Sequence, residues 1–333
     1  MDHISVLNDL KNRKFKPVYF LMGEEPYYID LISDYIEDNV LNDMEKEFNQ
    51  TVMYGRDVDT ATVINAAKRF PMMAPMQVVI VKEAQNLGNI DQLEHYLKQP
   101  QPSTLLVICY KYGKLDKRKK VYKMLGDVGV VYTSDKVRDY KMGEWINDYC
   151  RNVGLSISPK SSLMLAEFLG TDLSKVVNEL DKLKLVMPKD SNEITPKLIE
   201  EYIGISKDYN AFELQEALAT RNVLKANRIV NYFAANQKNY PMQMVMVPVF
   251  NFFSNLMIFH YLKDKSDGSV AKSLGINPYF VGQYKSAAKI YNAWKVMDVV
   301  SLLREYDAKS KGFGNVSSSQ GDLLKELAYK IMH

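Results

Sequence analysis

The chain has 333 residues, 47% of them hydrophobic and 25% charged, with 43 Lys and Arg against 40 Asp and Glu for a net charge of +3. That length allows two or three domains with cores of their own, and the balance excludes both a disordered chain and a globally basic nucleic-acid binder. The two cysteines, Cys109 and Cys150, make no disulfide framework and fit a reducing cytoplasm, and the opening residues carry Asp2, His3, Asp9 and Lys11 without the apolar run of a signal peptide.

Val18 to Met22 reads as a buried strand, Gly23-Glu24-Glu25-Pro26 as a turn, and Tyr27 to Val40 as a helix. Strand, glycine turn and helix form the frame of a phosphate-binding loop. That loop needs a second glycine five positions on, then Lys and Ser or Thr. Here Gly23 is followed at that distance by Tyr28, then Ile29 and Asp30. Glu24 and Glu25 also bring two carboxylates to the place of the phosphate oxygens, a repulsion that a helix N-terminus does not outweigh. The frame is present and its chemistry is missing.

Further on, Glu47 to Tyr54 is expected to be a second strand ending at Gly55, and Asp59 caps a helix through Ala61, Ile64 and Ala67. Strands follow at Gln77 to Val81, Thr104 to Cys109 and Gly129 to Tyr132, with helices at Ile90 to Leu97 and Lys117 to Leu125 between them. Apolar strands alternating with helices predict a parallel sheet covered on both faces. From Asp139 the pattern predicts helices only. Met142 to Arg151, Pro159 to Phe168, Asp172 to Leu185 and Thr195-Pro196 to Tyr202 make a small unit, and longer helices run from Ala211 to Ile331. The densest apolar stretch, Pro241 to Leu262, is broken by Pro248, Asn251, Ser254, Asn255 and His260, so it predicts a bundle helix rather than a membrane span. The fold class is α/β plus all-α, divided at 1–138, 139–208 and 209–333, with the linker at Gly204 to Asp208.

The order of units resembles the delta subunits of the bacterial DNA polymerase III clamp loader. The pieces that carry this are Pro17-Val18-Tyr19 through Gly23-Glu24-Glu25, Phe70-Pro71-Met72-Met73, and Lys114 to Lys120. To them are added Gly170-Thr171-Asp172-Leu173, Asn178-Glu179-Leu180-Asp181-Lys182-Leu183, and Asp307-Ala308-Lys309. The resemblance implies an AAA+-like first domain without its phosphate loop, a small helical lid and a helical collar. It also implies the sliding clamp (beta), the clamp-loader ATPase subunits (tau/gamma) and delta prime as partners, and primed DNA met through the assembly. No catalysis of its own, no cofactor and no metal are expected.

Met72 and Met73 follow Phe70-Pro71 at a helix end and precede Pro75, which blocks an immediate return to regular structure. Sequence alone favours their packing beneath the sheet, as most apolar residues do. The resemblance implies that the pair enters an apolar pocket of the clamp, with Met in place of the commoner Leu or Phe. Lys114, Lys117, Arg118, Lys119 and Lys120, with Lys111 and Lys123, oppose Asp116 alone within that run and contact DNA phosphates, a neighbouring subunit or only solvent. Tyr110, Tyr112 and Tyr122 lie among them. Lys82 and Glu83 stand where a nucleotidase would carry paired acids, and make no metal site. His3, His95, His260 and His333 lack the spacing of ligands or of a nucleophile and its base. Trp145, Trp294, Phe212, Phe250, Phe252 and Phe253 are expected as packing residues. Two rival readings remain: an ATPase binding nucleotide without the standard loop, and a nucleic-acid adaptor using Lys111 to Lys123.

Overall fold

In the computed structural model, which describes residues 2–188, 190–204, 209–315 and 317–333, the chain divides into two units, one ending at Val137 and the other beginning at Arg138. Of the linker expected at Gly204 to Asp208, residues 205–208 lie outside the described residues.

The first unit is a five-stranded sheet in the order β2-β3-β4-β1-β5, with every neighbouring pair parallel. The strands are β1 (Val18–Gly23), β2 (Gln50–Tyr54), β3 (Gln77–Lys82), β4 (Thr104–Lys111) and β5 (Val130–Ser134). Alternation along β1 splits the core between the two faces. Val18, Phe20 and Met22 join Val79, Val81, Leu106 and Ile108 on one side. Tyr19 and Leu21 join Val78, Ile80, Val107 and Cys109 on the other. Helices cover both layers: α1 (His3–Lys11), α2 (Pro26–Asn39), α3 (Asp43–Asn49), α4 (Thr60–Ala67), α5 (Glu94–Leu97) and α6 (Lys120–Val128).

Three expectations change here. The second strand begins at Gln50, because Asn42 and Glu45 close a reciprocal capping box that carries the chain through Asn49 as helix. The helix expected from Ile90 opens as a 3-10 turn, Ile90–Leu93, after Asn89 in the left-handed region. The helix expected from Lys117 starts at Lys120, since the Lys119 N–H closes a turn onto the Asp116 carbonyl. Helix α1, capped by the Asp2 carboxylate and burying Val6 and Leu10, was not foreseen.

The second unit contains α7 (Met142–Asn152), α8 (Pro159–Leu169), α9 (Leu173–Val186) and α10 (Pro196–Ile203), then α11 (Ala211–Ala219), α12 (Val223–Ala235) and α13 (Met242–Tyr261). It ends with α14 (Asp267–Leu274), α15 (Val281–Ile290), α16 (Ala293–Ser310) and α17 (Gln320–Met332). It is not helix only: β6 (Ser156–Ile157) and β7 (Glu193–Ile194) form a short parallel pair. Helix α13 is long and apolar enough by composition to cross a membrane. Its Val245, Val249, Phe252, Phe253, Leu256 and Phe259 are nevertheless buried in a core shared with α11, α12, α16 and α17. Glu213 on α11 is buried and ion-paired with Lys160 of α8 (2.5 Å) and Lys225 of α12 (2.5 Å), so one carboxylate ties three helices together.

Candidate functional site

The segment between α4 and β3 is held by two buried side-chain amides, Gln77 and Asn49. The Asp59 carboxylate starts α4 by accepting the Thr62 N–H at 2.8 Å. At its far end, the two N–H groups of Gln77 Nε2 donate to the Arg69 carbonyl at 2.5 Å and to Thr104 Oγ1 at 2.8 Å, with the Ala66 and Ala67 carbonyls within 3.4 Å. Asn49, at the end of α3, holds the middle: its Oδ1 accepts the Met72 N–H at 2.6 Å and its Nδ2 donates to the Met72 carbonyl at 3.0 Å. A buried carboxamide so satisfied is stable only in this arrangement, because losing a partner strands a desolvated polar atom.

This scaffold presents apolar side chains to solvent. Met72 is 63% exposed, Met73 fully exposed and Phe70 78% exposed. The packing reading for the two methionines therefore fails, because neither lies beneath the sheet. Met73 has φ +53°, a left-handed conformation that costs a side-chain-bearing residue roughly 1–2 kcal/mol. The surrounding hydrogen bonds hold it there, with its side chain outward. Asn49 and Gln77 were not singled out from the sequence, where Asn49 falls inside the strand expected over Glu47 to Tyr54 and Gln77 opens the strand expected to Val81.

At the phosphate position Gly23 has φ +145°, and a Cβ there would lie 1.9 Å from the Ser134 carbonyl oxygen. Gly23 thus lets the end of β1 lie close against the backbone at the end of β5. The Glu25 carboxylate takes the Tyr27 N–H at 3.1 Å, and the Glu25 N–H bonds the Ser134 carbonyl. Two backbone donors of this turn are thus taken by the chain itself. The Tyr28 ring packs on His3 of α1, with centroids 4.2 Å apart. Burial pushes the His3 imidazole below its usual range, against the weak pull of Asp2. At the end of β3, Lys82 pairs with Glu37 at 2.8 Å and Asp34 at 3.5 Å. Burial pulls the Lys82 ammonium down, yet Glu37 and Asp34 outweigh it and hold the group above its usual value. Glu83 adopts the left-handed region. A lysine clamped by two carboxylates stands where paired acids would hold Mg²⁺.

The basic run is largely neutralised. Lys111 pairs with Asp30, Lys114 with Asp135, Arg118 with Asp116, Lys119 with Asp91 and Lys120 with Glu94. Among the described residues Lys117 and Lys123 make no ion pair. Tyr110 and Tyr122 pack against the sheet core, and Tyr112 alone of the three is exposed. The structure brings these cations to a face studded with acids, not to a continuous positive groove.

His260 bonds the Tyr291 carbonyl and His333 the Tyr329 carbonyl. Cys109 and Cys150 are free and buried, and burial pushes their thiols up to about 12 and about 11. Among the described residues no group of His, Cys, Asp and Glu could hold a metal ion. Two packing expectations are corrected: Trp294 is 77% exposed and Phe250 43% exposed, whereas Phe252 and Phe253 are buried. Trp145 is half-buried and stacks on Tyr149.

The fold and the site define a class of protein with a helix-covered parallel-sheet unit, its phosphate-loop position filled by its own side chains, followed by a helical unit. Residues 19–133 match the family model for the DNA polymerase III delta subunit. The chain is 24% identical over 318 residues to the DNA polymerase III subunit delta of Bacillus subtilis, covering 92% of this chain and 91% of that one. It is 22% identical over 180 residues to a probable DNA polymerase III subunit delta of Mycoplasma genitalium, covering 53% of this chain and 58% of that one. Its fold matches that of a Bacillus subtilis DNA clamp loader delta protein with a TM-score of 0.53, at 22% identity and 99% coverage of both chains. The chain is thus similar over nearly its whole length to a DNA polymerase III delta subunit, and residues 19–133 carry the domain that defines that family.

Proposed function

We propose that this protein binds the ring-shaped sliding clamp through Met72 and Met73 and holds it open for loading onto primed DNA. The observation that carries the reading is the pair itself: two large apolar side chains, one fully exposed in a left-handed backbone, presented by a loop that buried amides immobilise. A preorganised apolar anchor loses little entropy on entering a pocket. The rest of the action follows from linkage. A partner that binds the open interface better than the closed one shifts the ring toward opening by that difference in affinity, with no catalysis of its own.

In this reading ATP acts through the partner subunits (tau/gamma), which govern access to the loop. Residues 139–208 serve as a lid, and 209–333 as a collar that joins those subunits and delta prime, in the cytoplasm. DNA is met through the assembly, since Lys114, Arg118, Lys119 and Lys120 are spent on internal pairs. The test is capture of a purified sliding clamp by the full chain and by the double variant Met72→Ala, Met73→Ala. The variant is expected to fold normally and to lose capture; undiminished capture rejects the site.

A further inference from the structure

We propose that the clamp-docking surface is built from two segments, helix α3 as well as the 70–73 loop, and that Asn49 is the positioning residue that joins them. The inference rests on the clamp-binding reading and deepens it.

Helix α3 has only seven residues. Met44 is 82% exposed and Phe48 67% exposed, and the i, i+4 spacing sets them on one side of the helix. Two such side chains on so short a helix contribute nothing to its own core. Phe48 is followed directly by Asn49, whose buried carboxamide holds both polar atoms of the Met72 peptide. The end of α3 and the Met72 backbone therefore form one rigid piece. Phe48 and Met72 sit on either side of a single side-chain clamp, so a partner seated on Met72 and Met73 also meets Phe48. Exposed Asp43 and Glu47 on the helix, with Lys68 and Arg69 on the loop, give the apolar centre a rim of both signs. That is the arrangement of a protein interface with a few anchoring side chains. Continuity with the methionine pair selects the occupant, the clamp protomer already assigned to them.

Asn49 acts through Met72 rather than by touching the partner. Its role is to keep the loop and α3 in one register, so that four anchors reach the clamp together.

The experiment measures binding of the full-length chain to immobilised purified sliding clamp, with melting temperature recorded for each variant. The change Met44→Ala with Phe48→Ala removes only exposed side chains. It is expected to weaken binding about tenfold or more without lowering the melting temperature. Asn49→Asp keeps the acceptor for the Met72 N–H and loses the donor to its carbonyl. It is expected to weaken binding and to speed hydrogen exchange at Met72 more than elsewhere in the sheet unit. If Met72→Ala, Met73→Ala loses the clamp while Met44→Ala, Phe48→Ala binds like the parent, the two-segment surface is wrong and the methionine site stands. If the parent chain fails to bind the clamp, the underlying reading falls and takes this proposal with it. If the α3 variant leaves capture unchanged but abolishes self-association seen by sedimentation, the face belongs to a second copy and the proposal is overturned.

Discussion

The ring of His3 lies against the ring of Tyr28, with centroids 4.2 Å apart and planes inclined by 32°. Tyr28 stands where a phosphate loop would have its second glycine, so helix α1 packs over the site that nucleotide would need. With the Tyr27 N–H already held by Glu25, ATP with Mg²⁺ is expected to give no saturable heat and no thermal shift. A ligand at a hundred times its Kd would add about 2.7 kcal/mol of stability, which a melting curve would reveal as a clear rise. Such a rise would restore the nucleotide-binding alternative.

The same contact gives a pH dependence. Burial depresses the folded-state pKa of His3 below the ordinary 6.5. A histidine favoured neutral in the fold contributes stability that is complete above about pH 6.5 and is lost as pH falls through its depressed folded value. His3→Phe keeps a ring on Tyr28 and removes the proton site. Its melting temperature is expected to fall less steeply than the parent's between about pH 6.5 and pH 5. Parallel curves for the two proteins would show that His3 titrates as it does in the unfolded chain.

Glu213 offers an independent test in the helical unit. Burial raises its pKa, but hydrogen bonds and charge from Lys160 and Lys225 outweigh this and hold it below the usual 4.5. The carboxylate therefore stabilises the fold above the unfolded value and loses that contribution as pH falls through the lower folded one. Glu213→Gln leaves two half-exposed lysines facing a neutral group, and the lost charge-assisted hydrogen bonds cost about 1.5–3 kcal/mol. Urea unfolding is expected to show a lower midpoint for the helical unit. A midpoint within error of the parent would mean that the ion triad contributes nothing net.

Much of this architecture is legible in the sequence, because burial on both faces writes long apolar runs such as Val78 to Val81 and Leu105 to Ile108. The failures are local and physical. Glu47 to Asn49 alternates like a strand, yet the Asn42–Glu45 box just before it decides for helix. The β6–β7 pair is two residues per strand, too short for any period to register. At the site, the sequence placed Met72 and Met73 after a helix and before a strand but gave two opposite fates for them. Exposure depends on Asn49, 23 residues away, and on Gln77. Contacts of that range leave no local pattern. The basic run misled for the same reason: its counter-charges Asp30, Asp91, Glu94 and Asp135 come from outside the run.

Met73 separates fold from function most cleanly. Its φ of +53° is strained for methionine and free for glycine, so Met73→Gly relieves roughly 1–2 kcal/mol in the folded state and gives back about 0.5–1 kcal/mol through a more flexible unfolded chain. The side chain is fully exposed, so no packing is lost. Melting temperature is expected to stay level or rise slightly. Clamp capture is expected to drop at least about tenfold, because a central apolar anchor is gone. Met73→Leu keeps an anchor of similar volume in the same strained backbone and should retain most of the binding. A glycine variant that captures the clamp as well as the parent would leave the strain with no role at this surface. A glycine variant that melts well below the parent would show that Met73 packs after all, and the loop would then be part of the core rather than a handle on the ring.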